Sequence, residues 1–215
     1  MKRITFITGY YGSGKTEIAL NLAIQKKLNV LVDLDIINPY FRSRELKTYL
    51  LEFGIETISS DLKDGMYADL PYISKRVFLP FQNKELSAIY DLGGNDLGAK
   101  LLRQFDNTNN EEVDNLLIIN VFREETSTKE KIIQLIHDIE EASGWKITGL
   151  IHNSNLLKET SIDDILYGEQ IAKEVVKETG LKVIFSCISD DINLGKNLLI
   201  GELLPIKIYL RKKWY

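Results

Sequence analysis

Apolar residues along this chain follow two alternating patterns. Short runs rich in aliphatic and β-branched side chains read as strands: Ile4–Thr8, Val30–Asp35, Ala88–Asp91, Leu116–Val121, Ile147–His152 and Lys182–Cys187. Several are apolar at consecutive positions, as in Leu116-Leu117-Ile118-Ile119, which is expected of strands covered on both faces. Between them, apolar positions recur at helical spacing. Lys15–Lys26 carries Ile18, Leu20, Leu22 and Ala23, and Thr128–Ala142 carries Ile132, Ile133, Leu135, Ile136 and Ile139. Ile162–Thr179 stops at Gly180, a residue suited to a left-handed C-cap. The stretch Asp61–Asn83, with Pro71 and Pro80, fits neither pattern and is expected to hold a short helix and loops on a ligand-facing rim. Strand and helix in alternation predict an α/β fold: a mostly parallel sheet of six to eight strands, right-handed crossovers, and helices on both faces. With no repeat, low-complexity tract or linker, residues 1–215 read as a single domain.

Composition narrows the function classes. Hydrophobic residues make up 44% and charged residues 27%, ordinary globular usage that excludes a disordered chain. The net charge of −4 argues against a general nucleic-acid binder, which needs a local basic excess. The one cysteine, Cys187, can form neither an internal disulfide nor a cysteine-rich metal site, and it fits a reducing compartment. No run approaches the ~20 apolar residues of a membrane span. Nor does the apolar run Ile4–Ile7, interrupted at Gly9, resemble a signal peptide. The expectation is a cytoplasmic protein.

The chemistry begins at Gly9-Tyr10-Tyr11-Gly12-Ser13-Gly14-Lys15-Thr16, which matches G-x-x-x-x-G-K-[ST] in full. Chance would produce the pattern in on the order of one chain in a hundred of this length. Its place between a predicted strand and a predicted helix makes coincidence rarer still. Glycines let the backbone curl so that its N–H groups face phosphate oxygens, and the helix adds its positive end. Lys15 can reach the β- and γ-phosphates, and the Thr16 hydroxyl can ligate Mg²⁺. The dinucleotide fingerprint is not met, because Glu17 stands where its third glycine belongs.

Two strands end in carboxylates. In Val32-Asp33-Leu34-Asp35 the period of two puts both aspartates on one side of the sheet, overlooking the crevice beside the glycine-rich loop. Asp35 is the candidate for positioning water or a Mg²⁺-bound water. Asp33 serves equally well as a buried acid organising its neighbours. The run Ala88-Ile89-Tyr90-Asp91-Leu92-Gly93-Gly94 places Asp91 in a Walker B arrangement, holding Mg²⁺ through water. Its D-x-x-G spacing puts the Gly94 N–H where it could sense a γ-phosphate; a plain turn is the alternative.

These residues resemble the MinD/ParA/CobQ-CobB-like nucleotide-binding domains, within the signal-recognition and MinD class of P-loop NTPases. The resemblance rests on Ile7–Thr16, Val30–Asp35 and Ala88–Gly94, and the strand–helix alternation extends it over most of the chain. It implies a three-layer P-loop sandwich that binds ATP with Mg²⁺, often as a face-to-face dimer. Gly9 through Thr16 would line the phosphates. Lys15 and Asp35 would be catalytic, and Thr16, Asp35 and Asp91 would serve the metal. Asn153, after the fifth strand, would contact adenine, although capping or turn formation is an equal use for it. A guanine-reading N-K-x-D is absent, since Ser154 and Leu156 follow Asn153. One departure weakens the implied chemistry: the dimerising ATPases carry a signature lysine where this chain has Tyr10.

The leading expectation is a slow ATPase or nucleotide-controlled switch acting on an adenine nucleotide and a protein partner or a second copy of itself. A small-molecule kinase, an ATP-dependent ligase and a non-hydrolysing regulator stay open. Arg42 and Arg44 could meet an anionic acceptor, although solvated helix charges fit them better. The basic, aromatic end Tyr209–Tyr215 is read as a packed last element rather than a membrane-surface tail, and His152 as a structural strand-end residue.

Overall fold

The computed structural model describes residues 1–35, 44–59, 74–94, 96–105, 112–192 and 199–210. Eight strands form one sheet: β1 (Ile4–Gly9), β2 (Val30–Leu34), β3 (Glu56–Ser59), β4 (Ala88–Leu92), β5 (Val113–Ile119), β6 (Gly149–His152), β7 (Val183–Ser189) and β8 (Glu202–Ile206). Their order is β3-β2-β4-β1-β5-β6-β7-β8, and every pairing is parallel. Among the described residues six α-helices run between them: α1 (Lys15–Gln25), α2 (Arg44–Glu52), α3 (Leu79–Gln82), α4 (Asp96–Leu101), α5 (Lys129–Ser143) and α6 (Ile162–Thr179).

Alternate residues of each inner strand feed opposite faces, which explains the unbroken apolar runs. Ile7, Leu31, Ile89, Leu116 and Ile118 pack with Ile18, Leu22 and Leu50, so α1 and α2 cover one face. Phe6, Val32 and Tyr90 point the other way, against Leu101, Leu102, Phe105 and Trp145. Further along that second face, Leu117, Ile119 and Leu150 meet Ile132 and Ile136 of α5 and Ile171 and Val175 of α6. Phe6 is the hub of an aromatic cluster, with Tyr90, Phe105 and Trp145 at ring-centroid distances of 5.0, 5.3 and 5.5 Å. The polar handles there are satisfied: the Tyr90 hydroxyl donates to the Val77 carbonyl, and Trp145 Nε1 to that of Leu102.

The helix termini follow local chemistry. Ser161 and Asp164 form a reciprocal capping box at the start of α6, and Gly180 ends it at φ 74°. Thr128 caps α5, and Gly144 closes it at φ 75°. At the sheet's outer edge, Pro205 contributes no N–H to β8, and its carbonyl accepts from Gln25 Nε2 of α1 at 2.6 Å. Glu17 of α1 takes the backbone N–H groups of Tyr209 and Leu210, and Asn21 holds Lys207. Within the expected irregular stretch, Lys75–Phe78 forms a 3-10 turn leading into α3; residues 60–73, with Pro71, lie outside the described residues.

Among the described residues no helix is long and apolar enough to cross a membrane. Cys187 is buried in the core beneath α1, and burial pushes its thiol well above the ordinary range, so it should react with thiol reagents only on unfolding. Phe6→Ala would empty the centre of the aromatic cluster. The expected loss is about 3–5 kcal/mol of unfolding free energy, read from urea denaturation.

Candidate functional site

The glycine-rich loop is set by the strands beside it. β1 lies between β4 and β5, with Ile7 opposite Asp91 and Gly9 opposite Ile118. Gly9 has φ +147°, and a Cβ there would lie 2.9 Å from the Ile118 carbonyl oxygen, so only glycine turns the chain off β1 at this point. The loop then folds back, with Ser13 N–H donating to the Tyr10 carbonyl at 3.3 Å. Gly14, left-handed at φ 95°, opens α1 without a side-chain cap, which leaves that helix end to an anion.

Lys15 is only 6% exposed, and its Nζ donates to the Tyr10 carbonyl at 3.0 Å. Burial pulls the Lys15 ammonium below its ordinary range, while Asp91 and Asp35 work to keep it charged. The loop after β4 comes close: a Cβ on Gly94 would lie 2.6 Å from Lys15 Nζ and 2.7 Å from Tyr11 N. The D-x-x-G turn therefore rests directly on the phosphate loop.

Asp33 and Asp91 stand side by side in the β2–β4 register, on the α1 face that Leu31 and Ile89 also serve. Asp33 Oδ1 accepts the Asp35 backbone N–H at 3.0 Å, which is the organising role open to it from the sequence. Asp35 is buried just past the end of β2. Asp91 is fully buried, and neither carboxylate oxygen has a well-formed hydrogen bond. Burial raises its pKa to about 7. The Thr16 hydroxyl and, more weakly, Lys15 oppose that shift, while Asp33 and Asp35 reinforce it. Hard oxygen donors at Thr16 and Asp91, with a buried carboxylate among them that lacks a well-formed hydrogen bond, fit a hydrated Mg²⁺.

Asn153 follows β6 and is turned toward the phosphate loop. Its Nδ2 donates to the Ser13 carbonyl at 2.8 Å, and a Cβ on Gly14 would lie 2.6 Å from the same nitrogen. Beside it His152 is buried: Nε2 is 2.8 Å from Ser154 Oγ, and Nδ1 is 3.0 Å from Glu169 Oε2, off the line of a well-formed hydrogen bond. Glu169 also accepts the Ile200 N–H, so the ends of β6, α6 and the approach to β8 are joined. Arg42 lies outside the described residues, as do residues 211–215, and the Arg44 side chain is not described.

The turn after β5 was not singled out by the sequence. Asn120 organises it: its Oδ1 accepts the Phe122 N–H, and its backbone carbonyl accepts from Arg123 N–H and the Thr126 hydroxyl. From this turn Arg123 Nε donates to the Gly12 carbonyl at 2.9 Å, and the nearby Glu125 carboxylate holds the Tyr10 phenol above its ordinary range. No motif marks these residues, because their partners lie more than 100 positions away; an Asn-x-x-Arg just past a central strand is the only signal.

No protein-family profile matches this chain, and no curated protein does. Solved structures do. Cell division protein FtsY from Thermotoga maritima superposes with a TM-score of 0.56 at 16% identity, over 92% of this chain and 63% of that one. The Signal Recognition Particle 54 kDa protein from Aeropyrum pernix K1, in complex with GDP, gives 0.53 at 20% identity over 92% of this chain and 42% of that one. The signal recognition particle receptor FtsY from Elizabethkingia anophelis gives 0.53 at 15% identity, over 91% and 61%. The chain has the P-loop NTPase fold. These structures stand on the signal-recognition side of the class that the motifs suggested, and they carry no specific tie to MinD or ParA. The chain spans 42–63% of their length.

The raised Asp91 pKa has a measurable consequence in the nucleotide-free protein. The folded state holds that proton more tightly than the unfolded chain does. Its contribution is therefore favourable below the unfolded carboxylate range near pH 4 and is lost as pH rises through about 7. Asp91→Asn, which mimics the neutral form, should match wild type near pH 4 and exceed it at pH 8 by on the order of 3 kcal/mol in chemical denaturation.

Proposed function

We propose that this protein binds a nucleoside triphosphate with Mg²⁺ and works as a nucleotide-controlled switch with slow hydrolysis. One observation carries the reading. A complete phosphate loop closes around the buried Lys15, with the Asp91 carboxylate beneath it lacking a well-formed hydrogen bond and Gly94 resting on it. A buried cation and a buried carboxylate without good partners cost free energy that a bound polyanion and its metal ion would return.

In this reading the backbone N–H groups of Tyr10 through Lys15 and the open end of α1 receive the phosphates. Lys15 leaves the Tyr10 carbonyl to contact them. Thr16 and Asp91, with Asp35 through water, hold Mg²⁺, which would neutralise phosphate charge and polarise the bond to be broken. Among the described residues no three His, Cys, Asp or Glu side chains converge as a cage, so the ion depends on phosphate oxygens for the rest of its shell. Asp35 positions the attacking water. The Gly94 turn and the chain after Asp35 respond to the terminal phosphate and present the nucleotide state to a protein partner or a second copy of the chain.

ATP is the proposed nucleotide, because the guanine-reading N-K-x-D is missing after β6. Asn153 does not argue strongly for adenine, since its amide is engaged with Ser13; we assign it to bracing the phosphate loop. GTP is the second reading, favoured by the similar Aeropyrum protein having been solved with GDP.

Calorimetric titration of MgATP and MgGTP separates the two, with ATP expected to bind at least tenfold more tightly. Lys15→Ala should weaken binding of the preferred nucleotide by about 100-fold or more, since charge-assisted phosphate contacts are lost from a buried site. Unchanged affinity in that variant overturns the reading.

A further inference from the structure

The phosphate loop has a second cation that its motif does not include. Arg123 leaves a turn fixed by Asn120 and lays its guanidinium against the outer wall of the loop. Nε donates to the Gly12 carbonyl at 2.9 Å. The guanidinium carbon and Nη2 lie 3.6 and 3.8 Å from where a Cβ on Gly12 would stand. A Cβ at position 12 would stand in ordinary van der Waals contact with this group, and it is the φ of +72° that calls for glycine there. Arg123 and Gly12 are both exposed, so the guanidinium is open to solvent on the loop rather than buried beneath it. Two residues on, the Glu125 carboxylate faces the Tyr10 phenol, so the same turn approaches the loop at two points.

Position matters here. Tyr10 occupies the place of the signature lysine that, in the dimerising ATPases this chain resembles, acts across the dimer. Lys15 and the open helix end lie on the α1 side of the loop, while the opposite segment at Tyr11 is the part that Gly94, the candidate sensor of a terminal phosphate, rests against. We propose that Arg123 contacts the terminal phosphate of a bound nucleoside triphosphate, supplying from its own chain the positive charge that Tyr10 cannot. A guanidinium suits such a contact, since one N–H anchors it to Gly12 and the remaining fork offers two parallel donors to phosphate oxygens. This rests on the nucleotide-binding reading above and adds the residue that distinguishes a triphosphate from a diphosphate.

The test compares affinities for MgATP and MgADP, and for MgGTP and MgGDP, in wild type, Arg123→Gln, Arg123→Lys and Lys15→Ala. Thermal melting of each nucleotide-free variant checks its fold. Wild type should prefer the triphosphate. Arg123→Gln should reduce that preference by roughly tenfold while leaving diphosphate affinity within about twofold of wild type, and Arg123→Lys should restore part of it. If Arg123 only braces the loop, its variants weaken both nucleotides equally. That outcome, no change in either affinity, or a wild type without triphosphate preference overturns the proposal and leaves nucleotide binding standing. A wild type that binds none of the four, or a Lys15→Ala protein that binds as wild type does, overturns the parent reading instead.

Discussion

Taking Lys15 and Asp91 out of water without pairing them directly is the constraint around which this molecule is arranged. The ammonium reaches a backbone carbonyl, the carboxylate has no well-formed partner, and both are buried, Lys15 as the residue that opens α1. Such an arrangement survives only on a rigid frame. β1 supplies it by pairing on both sides, and Asp91 sits directly opposite Ile7 in that pairing. The apolar packing of α1 against Ile7, Leu31 and Ile89 then stabilises a site that is electrostatically unfavourable when empty.

Much of this was legible in the sequence, and the exceptions have physical causes. β1, β2, β4 and β6 were readable because inner parallel strands are apolar on both faces, and α6 ends at the expected Gly180. β5 begins earlier than its apolar run because Asp114 and Asn115 are polar strand residues with partners of their own: Asp114 takes the Lys2 N–H, and Asn115 meets Thr8. β3 and β8 escaped notice because edge strands bury one side only, and β8 contains a proline. α4 is short and interrupted by Gly98, so it shows no period. Within the site, the phosphate loop and its aspartates form local patterns, whereas Arg123, Glu125 and Glu169 act on residues distant in the chain, which a local pattern cannot reveal.

The polar contacts around Asn153 join parts of the molecule that are usually considered apart. Asn153 ties the end of β6 to the phosphate loop; its neighbour His152 meets both Ser154 and Glu169 of α6; and Glu169 holds the chain entering β8. Buried polar networks of this kind are stiff and cooperative, since loosening one member leaves the others unsatisfied. Motion on nucleotide exchange is therefore expected at the Gly93–Gly94 turn after β4 rather than along this seam.

Pro205 and Gln25 set a boundary condition on assembly. A strand joining β8 from outside would need a continuous row of donors and acceptors, and here the proline withholds one while the glutamine occupies the other. The sheet is thus sealed at this margin against growth by strand addition. Copies of this chain are therefore not expected to join into one continuous sheet through β8.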